Sequence, residues 1–369
     1  MTVDTVRAAC GQLLSVGFDG ASAPAELLGR IGRSEVGGVM LFRPNVVDPA
    51  QVAALVRTLR EASPAQPLVV STDQEGGLVQ RVRRPLTEWP DMLSVGSAGE
   101  AGRTEAVGRA LGTELGALGI GWDLAPVLDV HTNPANPVIG NRAFGRTPPA
   151  VIAQALAFWR GLRAAGVLGC GKHFPGHGDT RTDSHHELPV VAHDPARLRA
   201  IELAPFAAAA AAGAEAIMTA HVMFPAIDPK WPATLSRALL GGVLRGELGF
   251  TGLVVSDDLG MRAVADRWPI EELVVEGLLA GADHFLIRGP SERQVAAWEA
   301  LVRGSEGRSE VRARVLESAG RVAAFKALSR VGLPQPDGWT KLPLEEHRKL
   351  AAEFPRVDAT APDQSPVSE

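Results

Sequence analysis

Residues 171–187 read GKHFPGHGDTRTDSHHE and gather His173, His177, His185 and His186, four of the nine histidines in the chain. Three chemistries suit such a stretch. A divalent metal needs three or four nitrogen, oxygen or sulfur ligands, and His173, His177, Asp179, Asp183 and His185 are enough in number. The H-x-x-x-H spacing is ligand spacing on a helix, however, and Pro175, Gly176 and Gly178 prevent a regular helix here. A phosphate cradle needs a lysine after the glycines beside a hydroxyl residue, whereas Lys172 precedes them. Proton transfer fits better. Asp183 stands two residues before His185, and a carboxylate beside an imidazole orients the ring and favours its charged form. The competing reading is that Asp183 only caps a turn.

The dyad gains meaning with a second reactive group, and GLVVSDDLGM supplies one. Asp257 ends an apolar run and is read as a reactive carboxylate; Asp258 points the other way and is read as a helix cap. A carboxylate facing an acid/base group is the arrangement for retaining glycoside cleavage. The first attacks the anomeric carbon and the second protonates the departing oxygen.

Eight short apolar runs have to position these groups. They are LLSVGF, VGGVMLF, PLVVSTDQ, IGWDLAPVLDV, GVLGCGKHF, AIMTAHV, GLVVSDDL and DHFLIRG, with helix-patterned segments between them. Strands alternating with helices imply a parallel sheet covered by helices. The expected fold is α/β, a single (β/α)8 TIM barrel, with an open doubly wound sheet as runner-up. Polar clusters fall at the carboxyl ends of the runs, where such a barrel keeps its chemistry. Residues 1–333 are expected to form the catalytic domain. Residues 334–369 are expected to add a C-terminal helix and a disordered tail.

The bulk properties narrow the partners. With 46% apolar and 21% charged residues the chain is globular, and its net charge of −5 argues against a nucleic-acid surface. Cys10 and Cys170 provide no disulfide framework and fit a reducing compartment. No secretory signal or membrane span is evident, so a cytoplasmic monomer without metal or cofactor is expected.

With those residues assembled, the chain resembles the glycoside hydrolase family 3 β-N-acetylhexosaminidases of bacterial cell-wall recycling. The resemblance rests on DQEGGLVQR (73–81), LAPVLDVHTNPANPVIGNRAFG (124–145), KHFPGHGDTRTDSHHELP (172–189) and VVSDDLGM (254–261). It implies Asp257 as nucleophile, His185 as proton donor and acceptor, and Asp183 as partner of His185. It implies that Asp73, Arg81, Arg142, Lys172 and His173 hold the terminal sugar. The implied substrate is a small carbohydrate, a GlcNAc-containing muropeptide or disaccharide. Trp122, Asp123 and Asp129 are read as structural. Glu75 is expected to order its own turn, and His177, Asp179 and His186 to shape the loop. Leu78 departs from the arginine that many relatives carry. A phosphorylase on the same scaffold, a family 3 β-glucosidase, a non-catalytic glycan-binding protein and a zinc hydrolase are the rival readings.

Overall fold

The computed structural model describes residues 3–63, 65–182, 184, 187–335 and 337–354. Asp183, His185 and His186 lie outside the described residues, as does the tail from 355 to 369.

Each of the eight apolar runs contributes one strand to a single parallel sheet. These are β1 (Leu14–Val16), β2 (Gly38–Leu41), β3 (Val69–Thr72), β4 (Trp122–Asp123), β5 (Gly171–Phe174), β6 (Ala216–Thr219), β7 (Leu253–Asp258) and β8 (His284–Ile287). Their order in the sheet is β4-β3-β2-β1-β8-β7-β6-β5, so the curled sheet has two ends. This corrects the expected (β/α)8 TIM barrel, in which every strand would share a ladder with two neighbours. Between β4 and β5 only the isolated bridges Trp122↔Leu168 and Val127↔Lys172 occur. The fourth run explains the gap. Only two of its residues join a ladder, and Pro126 has no amide hydrogen to donate to one. On the other side, β5 changes register against β6 between Gly171 and Phe174.

Alternation along the strands divides the core in two. Val69, Leu253, Val255, Met218 and Leu286 point inside the curl with Met40, Phe42, Trp122 and Leu124. Val70, Val254, Ile217, Phe285 and Ile287 point outward against the helices. Each such buried side chain stabilises the fold by about 1.5–3 kcal/mol. Phe325, from helix Ser309–Leu328, packs edge-on against Trp122 at 4.8 Å and fills the floor of the curl. The upper end of the inner layer (Met40, Phe42, Leu124, Met218, Leu286) is left to line a cavity.

The segment after residue 334 packs on the helix layer. In helix Glu345–Ala352, the buried His347 places Nδ1 2.9 Å from Oε1 of Glu114, on helix Ala101–Ala117. Glu114 also accepts from the Thr87 hydroxyl at 2.6 Å, which ties this helix to the long β3–β4 connection. No helix among the described residues is long and apolar enough to cross a membrane.

Candidate active site

Directly after Asp73 at the end of β3, the chain folds into a hairpin pairing Gln74–Gly76 with Val79–Gln80. Gly76 has a φ of +102°, a conformation that residues with a Cβ rarely adopt. The Gln74 side-chain oxygen accepts from the Arg81 and Val82 amides at 2.9 and 3.0 Å. Arg83 donates to the Leu78 carbonyl at 2.9 Å and holds the tip. Asp73, Glu75 and Arg81 are therefore delivered by one tightly bonded corner.

β5 meets that corner with Lys172. Its Nζ lies 2.7 Å from Asp73 Oδ1 and 2.6 Å from Glu75 Oε1. Arg142, in the 3-10 turn Gly140–Arg142, grips Glu75 with two parallel bonds of 2.9 and 2.8 Å. Arg81 reaches Asp73 at 3.3 Å. Burial pushes the Asp73 carboxyl up, but the Lys172 and Arg81 charges outweigh it and hold it well below the carboxylate range. Glu75 is likewise opposed by burial, yet Arg142 and Lys172 bring it down to about 2. Lys172, despite burial, is raised by Asp73 and Glu75. These side chains form a rigid charged cradle suited to orienting sugar hydroxyls.

Asp129 is fully buried and performs a task that its sequence position did not disclose. Its carboxylate lies 2.7 Å from His173 Nδ1 and accepts the His177 amide at 2.6 Å. That fixes Nδ1 as the protonated ring nitrogen and leaves Nε2 as the acceptor 3.4 Å from Arg142 Nη2. His177 is bonded through both ring nitrogens, to Thr180 Oγ1 at 2.8 Å and Ser184 Oγ at 3.0 Å. Burial, then the neighbouring His173 ring, hold its imidazole down near 4. His177 shapes the loop and stays neutral.

Asp257 stands half-buried at the end of β7, where the Asp258 amide donates to its Oδ1 at 2.8 Å. The Asp258 carboxylate turns away and accepts from the Gly260 and Arg288 amides at 2.8 and 2.9 Å. Behind them the buried His221 places Nε2 3.0 Å from the Asp258 carbonyl and Nδ1 2.8 Å from Thr234 Oγ1. This bracing steadies the strand end that carries Asp257.

Asp73, Arg81, Arg142, Lys172, His173 and Asp257 all line one cavity, together with Ser184. The space is about 800 Å³ including its open mouth. Of the residues singled out in the sequence, Asp183, His185 and His186 lie outside the described part. Glu75 and Asp129 were undervalued. Their partners are 67 and 44 positions away, and the only local hint was a carboxylate at a strand end.

A metal has a poorer claim. Among the described residues, one group of possible ligand atoms lies within 4.8 Å of one another, on Asp179, His193 and Glu202. Arg197 already places its guanidinium between the two carboxylates, 3.1 Å from Asp179 and 3.3 Å from Glu202. The positive charge a cation would bring is supplied by the chain itself.

Comparison with known proteins decides the family. The Glycosyl hydrolase family 3 N terminal domain matches residues 5–325. The chain belongs to glycosyl hydrolase family 3. Among its family 3 relatives, a Beta-hexosaminidase of Alkalilimnicola ehrlichii is 36% identical over 335 residues, covering 89% of this chain and 91% of that protein. Beta-hexosaminidase A of Pseudoalteromonas piscicida is 39% identical over 281 residues, 70% of this chain; the match spans 47%, about half, of that relative. In three dimensions, the family 3 beta-N-acetylglucosaminidase of Paenibacillus sp. str. FPU-7 matches with a TM-score of 0.87 at 41% identity. That match covers 94% of this chain and 67% of the other. A family 3 chain is a glycoside hydrolase.

Proposed function

We propose that this chain is a retaining β-N-acetylhexosaminidase that releases terminal β-linked GlcNAc from peptidoglycan-derived muropeptides in the cytoplasm. Asp257 attacks the anomeric carbon while His185, oriented by Asp183, gives its proton to the departing oxygen. Water then attacks the glycosyl-enzyme, returns a proton to His185 and frees the Asp257 carboxylate. Asp73, Arg81, Arg142, Lys172 and His173 hold the terminal sugar. Residues 1–333 constitute the catalytic unit.

The observation that carries the reading is the sharing of one cavity by Asp257 and the charged cradle. Ser184, the residue between Asp183 and His185 in the chain, lines that same cavity and is 2% exposed. The names of the relatives supply the sugar. Hydrolysis of aryl β-GlcNAc, β-Glc and β-Xyl by wild type, Asp257→Ala and His185→Ala tests the assignment. The β-GlcNAc substrate should be strongly preferred and both variants crippled. Full activity in Asp257→Ala, or equal use of all three sugars, would overturn it.

A further inference from the structure

Asn136, Thr180, His177 and Ser184 are buried and form a hydrogen-bonded chain from the segment leading to Arg142 to the wall of the cavity. Its donors and acceptors follow one from the next. Asn136 Oδ1 accepts the Val138 and Ile139 amides, both at 2.8 Å, which settles the orientation of the side-chain amide. Asn136 Nδ2 therefore donates, to the His177 carbonyl at 2.8 Å and to Thr180 Oγ1 at 3.1 Å. The Thr180 amide reaches the same carbonyl at 3.5 Å, so both of its lone pairs are engaged. The Thr180 hydroxyl proton is left for His177 Nδ1 at 2.8 Å, closer than the carbonyl at 3.2 Å. Burial keeps the His177 ring neutral, and a neutral imidazole that accepts at Nδ1 carries its proton on Nε2. Nε2–H then donates to Ser184 Oγ at 3.0 Å. Ser184 accepts from the ring and keeps its own proton. Among the described residues no other group lies within hydrogen-bond distance of its hydroxyl.

Ser184 lines the cavity that also holds Asp257, and it precedes His185, the proton donor of the hexosaminidase reading. The substrate atoms within its reach are then those around the anomeric carbon. Two groups flank that carbon in the sugar, the ring oxygen and the acetamido group on C2. The ring oxygen loses electron density as the oxocarbenium character develops, which makes it a poor acceptor. The acetamido carbonyl is a strong acceptor, and it is what separates GlcNAc from glucose. We propose that Ser184 is a specificity-determining residue that donates its hydroxyl proton to the acetamido carbonyl of the terminal sugar. His177, Thr180 and Asn136 are the positioning residues that aim it. The opposite tautomer of His177 would draw the Ser184 proton onto Nε2 and away from the sugar. This rests on the hexosaminidase reading and assigns its N-acetyl preference to one side chain.

Two measurements test the relay and its output. In wild-type protein carrying nitrogen-labelled histidine, NMR should show the His177 ring, assigned by its loss in His177→Gln, protonated at Nε2 and bare at Nδ1. A proton on Nδ1 overturns the proposal without reference to any kinetics. Hydrolysis of aryl β-GlcNAc is then compared with that of the aryl 2-deoxy-β-glucoside, which lacks the acetamido group. Ser184→Ala should lower the ratio of the two kcat/KM values by about tenfold whatever its absolute rates, the cost of one neutral hydrogen bond. Ser184→Thr, which keeps the hydroxyl, should restore part of the ratio. Thr180→Val removes the proton given to Nδ1 and should lower the ratio as well, although it touches no sugar. Equal loss on both glycosides in Ser184→Ala, the mark of a purely structural role, overturns the proposal. A ratio lost in Ser184→Ala but intact in Thr180→Val overturns the relay. Failure of wild type on both glycosides instead sinks the hexosaminidase reading beneath it.

Discussion

Asp129 and His173 form a buried pair, Oδ2 to Nδ1, at 2.7 Å, and the same carboxylate takes the amide of His177 at 2.6 Å. One side chain thus sets the ring orientation at the cavity wall and the entry of the histidine loop. Asp129→Ala is expected to lower kcat by about a hundredfold, the cost of slight misplacement of oriented groups. Asp129→Asn, which keeps the shape but weakens the bond to Nδ1–H, should fall between. Steady-state kinetics on aryl β-GlcNAc with a parallel melting curve checks this. An Asp129→Ala protein that melts like wild type and turns over at the wild-type rate would show the pair to be inert.

Glu75 makes the fold acid-sensitive. Burial opposes its charge, but Arg142 and Lys172 bring it from an ordinary 4.5 to about 2. A carboxyl lowered in this way stabilises the fold above its unfolded value, and that contribution is lost as pH falls toward the folded one. Glu75→Gln removes the anion from two buried cations, for which about 3–5 kcal/mol is expected near neutral pH. Thermal melts from pH 7 down to pH 2 should show the wild-type and variant curves converging below about 4.5. A constant separation at every pH would contradict this.

His177 should not contribute the alkaline limb of the pH–activity profile. Its ring is neutral down to about 4 and both nitrogens are committed. His177→Gln should lower the rate through the loop while leaving the limb in place, whereas His185→Ala should abolish the limb. Disappearance of the limb in His177→Gln would reassign the proton donor.

Much of this was legible in the sequence because apolar runs ending in polar groups mark strand ends wherever the strands later pair. Lys172, His173 and Asp257 could be placed at a cavity mouth on that pattern alone. The break in the expected ring could not be read. Pro126 withholds one donor, and the loss matters only once Leu124–Val130 lies beside β5. The tasks of Asp129 and Glu75 were hidden for a related reason, since each acts on a partner brought near only by the fold. Arg288 was passed over as the end of DHFLIRG. Its stacking on Phe42 appears only once the strands bring the two residues together.

The most direct measurement is covalent trapping of the nucleophile. Wild-type protein would be incubated with a fluorinated β-GlcNAc donor that forms the glycosyl-enzyme quickly and hydrolyses it slowly, then digested and mapped by mass spectrometry. The account requires one sugar on the peptide containing VVSDDLGM, at Asp257, and no labelling of Asp257→Ala. A sugar on a different carboxylate, or product of inverted anomeric configuration with no adduct, would contradict it.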